Sequence, residues 1–91
     1  MTINRYAKKR DKNERGIINA LEARGHKVKQ DDFVDLVVQR PDGKIVLLEV
    51  KSEHGRLTKI QENMLGEGWL FHVVRSVEEA ITAVEGEEFV A

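Results

Sequence analysis

The sequence predicts an α/β fold, a small mixed sheet flanked by helices, and three observations carry that expectation. Two apolar segments, Val34-Asp35-Leu36-Val37-Val38 and Ile45-Val46-Leu47-Leu48-Glu49-Val50-Lys51, flank a turn at Arg40-Pro41-Asp42-Gly43. Proline presets its own backbone angle and glycine accepts positive φ, so the pair reads as a β-hairpin. A helical segment then separates the second strand from a further apolar run, Trp69 to Val74. Such a strand–helix–strand unit joins parallel neighbours through a right-handed crossover. Lastly, two helices open on Thr58-x-x-Gln61 and Ser76-x-x-Glu79, the spacing of a capping box.

Taken in order, residues 1–10 hold Arg5, Lys8, Lys9 and Arg10 with Tyr6, a basic arm or the first turns of a helix. From Asp11, Ile17, Ile18 and Leu21 fall at helical spacing, and Gly25 supplies the stop. Asp11 fits an N-cap and Glu14 its acidic third position. Glu14 also lies at i, i+4, i+7 with Ile18 and Leu21, which aims its carboxylate along the apolar stripe; both readings stand. His26 to Gln30 is a short edge strand, with Val28 inward and Lys27 and Lys29 outward. Phe33 to Gln39 is the second strand and Ile45 to about Ser52 the third. The next helix spans about Lys59 to Leu65, with Leu57, Ile60, Met64 and Leu65 on its inner side, and Gly66 and Gly68 end it. Trp69 to Val74 is the fourth strand. The last helix turns Val77, Ala80, Ile81 and Val84 inward, and Gly86 closes it before a fraying tail at 87–91.

Ninety-one residues, 41% hydrophobic and 34% charged, with one proline and seven glycines, describe one soluble domain, 1–91. No run has the roughly 18 apolar residues of a membrane span, and no apolar signal segment opens the chain. A cytoplasmic, bacterial or phage-type intracellular location is the default expectation. The absence of cysteine excludes disulfides and thiolate metal sites. The formal charge of −1 conceals an asymmetry: residues 1–29 hold nine Lys/Arg against three Asp/Glu, and the remainder six against thirteen. A basic arm beside an acidic body suits a protein that holds phosphates near carboxylates, though a solvated charged surface has the same composition.

The third strand contains a conflict. Side chains alternate, so Val46, Leu48 and Val50 cover one face while Glu49 and Lys51 share the other with Ile45 and Leu47. Apolar residues on both faces point to a central strand, where an unpaired carboxylate or ammonium is costly. In an antiparallel hairpin the start of strand two lies beside the end of strand three. Asp35 then faces Glu49 across about 5 Å, provided the register turns both to one face. Carboxylates that close repel unless a cation lies between them or one is protonated. With oxygen donors alone the cation is hard, Mg²⁺ or Mn²⁺, and the Val50 carbonyl adds another oxygen. Lys51, about 7 Å beyond Glu49, is placed to orient or deprotonate a metal-bound water, or to offset charge on a phosphate. This is a layout for phosphodiester hydrolysis. Glu-x-Lys alone also serves as a solvated pair on edge strands, and Gln61 is equally explained by its capping box. His54 could touch substrate, whereas His26 and His72 read as surface or satisfied core residues.

Glu14, Asp35, Glu49-Val50-Lys51, Gly55-x-Leu57-Thr58-x-x-Gln61 and Val73-Val74-x-Ser76-Val77-Glu78-Glu79-Ala80 together resemble the VRR-NUC (virus-type replication-repair nuclease) family, a branch of the PD-(D/E)XK nuclease superfamily, over Asn13 to Val84. The resemblance implies a restriction-endonuclease-like α-β-β-β-α-β core with a C-terminal helix and Mg²⁺- or Mn²⁺-dependent DNA cleavage. By that resemblance Asp35, Glu49 and the Val50 carbonyl bind metal, Lys51 positions the attacking water, and Glu14 and Gln61 support metal or water at the rim. One side chain at Gln61 is not expected both to cap its helix and to reach the site. Val34 stands where the family often has proline, a change expected to alter the approach to the strand and not the chemistry. Short family members act as homodimers on branched DNA such as four-way (Holliday) junctions, which implies a homodimeric DNA-repair endonuclease with no nucleotide cofactor and no membrane partner. Arg5, Lys8, Lys9, Arg10, Lys12 and Arg15 are candidate phosphate contacts, with Lys27, Lys29, Arg56 and Lys59 a second set. The competing expectations are a catalytically silent DNA-binding module of a repair or replication complex and a plain duplex endonuclease.

Overall fold

The computed structural model describes residues 12–86. Its elements run α1 (Glu14–Ala23), β1 (Lys27–Gln30), β2 (Leu36–Gln39), β3 (Ile45–Val50), α2 (Lys59–Gly66), β4 (His72–Val74) and α3 (Val77–Glu85). The strands form one sheet in the order β1-β2-β3-β4. β1 pairs antiparallel with β2, β2 antiparallel with β3, and β3 parallel with β4. The expected element order, the hairpin, the edge position of β1 and the parallel crossover therefore stand, and β3 has a neighbour on each side.

Alternation decides what each face does. Val28, Leu36, Val38, Val46, Leu48, Val50 and Val74 turn to the face that α1 and α3 cover, where Ile17, Ile18, Leu21, Ala80 and Val84 complete the core. The opposite face carries Lys27, Lys29, Val37, Gln39, Ile45, Leu47 and Glu49, as the pairings Lys29–Val37–Leu47 and Lys27–Gln39–Ile45 require. α2 covers this second face only thinly. None of its residues is buried, and Ile60 and Leu65 are exposed, contrary to the inner side expected from their spacing. An eight-residue helix has few apolar groups to bury, and this one is anchored by polar contacts at its N-terminus.

Two strands start later than expected. Phe33, Val34 and Asp35 precede the β2 ladder, and Trp69, Leu70 and Phe71 precede β4. Only Val34, Asp35 and Phe71 of these are buried. Strand propensity marked the six as β, but the ladders end before they reach them. The Ser76 hydroxyl accepts from the Glu79 amide at 3.1 Å, as its capping pattern requires, yet the Glu79 carboxylate reaches back to the Arg75 amide at 2.7 Å. The expected N-cap Asp11 lies outside the described residues. Asn13 is the residue before α1, and its side chain does not cap that helix.

Buried polar groups tie α3 to the remainder. Arg40, in the hairpin turn, is buried, donates to the Val84 carbonyl at 3.2 Å and pairs with Asp42 at 2.6 Å, satisfying a carbonyl of the last turn of α3. The Lys44 amide, and after it Arg40, hold the Asp42 carboxyl below its ordinary range. At the end of α3, Glu85 accepts from Arg24 through both carboxylate oxygens (2.6 and 2.5 Å) and meets the buried His26 at 2.8 Å. These bonds, Arg24 first, hold the Glu85 carboxyl at about 2, below its ordinary 4.5. A depressed folded-state value contributes stability that is present above about 4.5 and lost as pH falls toward 2. Glu85→Gln is therefore expected to lower the urea-unfolding midpoint at pH 7 and to lower it much less at pH 2.5. Equal loss at both pH values would contradict this assignment. Among the described residues no helix is long and apolar enough to cross a membrane.

Candidate active site

One end of the sheet gathers the charged groups. β1 finishes there at Gln30, β2 begins there after Asp35, and β3 finishes there at Val50. The Asn13 amide side chain donates to the Arg75 carbonyl at 2.8 Å and to the Lys51 carbonyl at 3.5 Å. That pins the start of α1 to the ends of β3 and β4. The N-terminus of α2 arrives through Gln61. Two helix N-termini, with their outward amides, thus approach the ends of the central strands.

Leu36 pairs with Leu48 at the end of the β2–β3 ladder; Asp35 is the residue just before Leu36 and Glu49 the one just after Leu48. Glu49 follows the alternation of the face that α2 adjoins, where Gln61 meets it. The Asp35 carboxylate accepts from the Val50 amide at 2.7 Å, and Asp35 and Glu49 are 3% and 2% exposed. Asp35 and Glu49 are thus both buried at the same end of the β2–β3 pair. Glu49 Oε2 accepts from Gln61 Nε2 at 2.6 Å and lies 3.6 Å from Lys51 Nζ. A buried carboxylate is thereby paired with an ammonium and an amide donor, which offsets much of its desolvation.

Gln61 does what the sequence reading held incompatible. Its Oε1 accepts from the Thr58 amide at 2.9 Å while the Thr58 hydroxyl accepts from the Gln61 amide at 3.1 Å, and both bonds of the capping box are made. The other end of the same amide group donates to Glu49. A primary amide has an acceptor end and a donor end, so the helix cap aims the donor at the acid.

Glu14 is the first residue of α1, 2% exposed, and accepts from Gln30 Nε2 at 2.7 Å. Of its two sequence readings, the inward one describes the structure. His54 is exposed beside Glu53, His72 is exposed, and His26 is buried with its Nε2 on Glu85. Lys12, Arg15, Lys27, Lys29, Arg56 and Lys59 are all exposed. Arg5, Lys8, Lys9 and Arg10 lie outside the described residues.

The sequence reading missed Asn13, Gln30 and Arg75. Arg75 Nη1 donates to the Ser52 and Gly55 carbonyls, each at 2.7 Å, and so shapes the loop that leaves Lys51. Gly55 belongs to the same device, because a Cβ there would meet Ser52 Oγ at 3.2 Å and the Ser52 amide nitrogen at 3.3 Å. No local pattern marks an arginine that works through distant carbonyls. Gln30 alone left a trace, a polar residue at an inward position of β1.

The donor set fits a hard divalent ion in kind. Asp35 and Glu49 offer carboxylate oxygens, and Mg²⁺ is commonly held by one or two protein carboxylates with water filling the rest of its shell. Among the described residues no group of three or more His, Cys, Asp or Glu is placed to hold a metal ion.

No protein-family model matches the sequence, and no curated protein is significantly similar to it. A solved structure described as a VRR_NUC domain does match. It superposes with a TM-score of 0.63 at 25% identity, over 81% of this chain and 91% of that one.

Proposed function

The chain has the VRR-NUC domain fold, a PD-(D/E)XK nuclease architecture, and from that premise we propose that it is a metal-dependent DNA endonuclease acting on branched or structured DNA. The observation that carries the reading is the burial of Asp35 and Glu49 at one end of the β2–β3 pair, Asp35 on the Val50 amide and Glu49 on Lys51 and Gln61. Asp35, Glu49 and the Val50 carbonyl would hold Mg²⁺ or Mn²⁺, which when bound acidifies water and offsets charge on the scissile phosphate. The chain's own groups do the remainder. Lys51 orients the attacking water and offsets charge that develops on the phosphoryl oxygens. Gln61 fixes the Glu49 carboxylate, and Glu14 supports the rim. Exposed Lys12, Arg15, Lys27, Lys29, Arg56 and Lys59 supply phosphate contacts, which position DNA without reading its sequence. A homodimer suits paired incisions, and exposed Ile60, Leu65 and Leu70 offer apolar surface for the second copy to cover.

The test is a cleavage panel of four-way junction, flap, single strand and blunt duplex, each in Mg²⁺, Mn²⁺ and EDTA. Junction and flap are expected to be cut at least about tenfold faster than duplex, with no cutting in EDTA. Binding without cutting in every lane overturns the nuclease reading in favour of a silent DNA-binding module. Equal cutting of duplex overturns the branched substrate and keeps the endonuclease.

A further inference from the structure

Phe33 and Trp69 form an edge-to-face pair with ring centroids 5.4 Å apart, and each remains 50% exposed. Phe33 precedes Asp35 by two residues, so their Cα atoms are at most about 7 Å apart, and its ring meets Trp69, on the segment that leaves α2. Its amide is held by the Asp31 side chain at 2.8 Å. Trp69 lies just past α2, after Glu67 and Gly68. Gly68, at φ +96°, turns the chain there, and the Trp69 amide bonds back to the Met64 carbonyl at 3.1 Å. Both rings are thus carried on constrained backbone beside the candidate acids. A pair that served only to fasten α2 would gain most by burying both rings, and here half of each faces solvent. Exposed Lys29 belongs to the sheet face that carries Glu49, opposite Val37, and gives an adjoining phosphate its counter-charge.

We propose that the Phe33–Trp69 pair is a stacking platform for an unpaired DNA base next to the cleaved phosphate. This deepens the proposed nuclease function and rests on it for the identity of the nucleic acid. Aromatic faces stack on any base irrespective of sequence, but a base within an intact duplex already has both faces occupied by its neighbours. The platform therefore selects DNA whose bases are splayed or single-stranded, as at a branch point or flap, with no base-reading element.

Trp69 is the single tryptophan of the chain, so its emission reports on the platform alone. The experiment titrates the wild-type protein in EDTA with a flap, a single strand and a blunt duplex of equal phosphate count. In parallel, cleavage by Trp69→Leu and Phe33→Leu is measured in Mg²⁺. Trp69 emission is expected to be quenched by flap and single strand at concentrations where duplex leaves it unchanged. The two variants are expected to lose roughly tenfold in flap-over-duplex preference while cutting duplex within about twofold of wild type. An equal emission response to duplex, or no response at all, overturns the proposal. Full branch preference in both variants also overturns it and leaves the nuclease reading intact. If wild type cuts nothing and yet shows the selective quenching, the platform stands and the nuclease reading falls. If Trp69 emission changes with protein concentration and Trp69→Leu lowers the sedimentation mass, the pair belongs to a subunit interface and the proposal fails.

Discussion

Replacing Glu49 with glutamine is expected to reduce cleavage of branched DNA by at least about 10³-fold while leaving the melting temperature unchanged or higher. The two halves of that expectation come from one set of contacts. Glu49 is 2% exposed, precedes the residue whose amide holds a second buried acid, Asp35, and takes a donor from Gln61 and a cation from Lys51. For folding alone this is a poor use of a central-strand position, because desolvating a carboxylate beside another costs free energy that its partners only partly return. Glutamine keeps the volume, removes the like-charge repulsion with Asp35 and still accepts a hydrogen bond at Oε1. It removes an anionic oxygen from the place where a divalent cation would be held, and neutral amides are far weaker ligands for such ions. Cleavage in Mg²⁺ and thermal unfolding of the same preparation measure both halves. A variant that cuts at the wild-type rate, or that loses activity only because it unfolds, would remove Glu49 from the metal-binding role.

That conflict between position and residue type is also why much of the site was legible in the sequence. Glu49 and Lys51 stood out because they interrupt a strand whose neighbours on both faces are apolar. The Pro41–Gly43 turn then determined which residues could oppose them. Hairpin register is a local property, set by loop length and alternation, so the β2–β3 hairpin, whose ladder ends at Leu36–Leu48 beside Asp35 and Glu49, followed from about twenty consecutive residues. The parallel crossover was equally local, since a strand, helix and strand in succession leave few topologies.

What escaped the sequence was settled by contacts from far along the chain. Asp11 and Glu14 match a cap pattern, yet the junction at the start of α1 is organised by Asn13 bonding to Arg75 and Lys51. Glu14 turns inward to a glutamine sixteen residues away. Arg40 and Arg75 look like ordinary surface cations, and each is committed to main-chain carbonyls of another element. Periodicity failed in α2 for a different reason. Ile60 and Leu65 belong to an apolar stripe with Leu57 and Met64, but a stripe predicts burial only if a partner face exists, and among the described residues nothing encloses these two. Phe33, Trp69 and Leu70 have the propensity of strands and lie outside the ladders. Propensity registers the side chain, and the ladder requires a neighbour with free backbone groups.

Gln61 permits the two functions of one side chain to be separated, and the expected pattern has three parts. Gln61→Leu loses the acceptor for the Thr58 amide and the donor to Glu49 together. Stability is expected to fall by about 1 kcal/mol, the usual worth of a helix cap. Cleavage should fall roughly 10- to 100-fold, the usual effect of removing a group that orients a metal-binding carboxylate. Gln61→Glu keeps an acceptor for the Thr58 amide, and a carboxylate at a helix N-terminus is favourable. It sets negative charge against Glu49, though, in place of a 2.6 Å hydrogen bond. Its helix should be retained while cleavage falls at least as far as in the leucine variant. Thr58→Ala does the converse. It removes the hydroxyl that accepts from the Gln61 amide at a cost of about 1 kcal/mol, leaves the Gln61 side chain with both of its partners, and should cut within about threefold of wild type. Urea unfolding and single-turnover cleavage of the three variants resolve the pattern. If activity tracked stability across all of them, Gln61 would be a helix cap that happens to lie near an acid. If Gln61→Glu is inactive on an intact fold while Thr58→Ala is active on a weakened one, the cap serves to point an amide donor at Glu49. The capping box would then be the part of the local sequence that places α2 in the site.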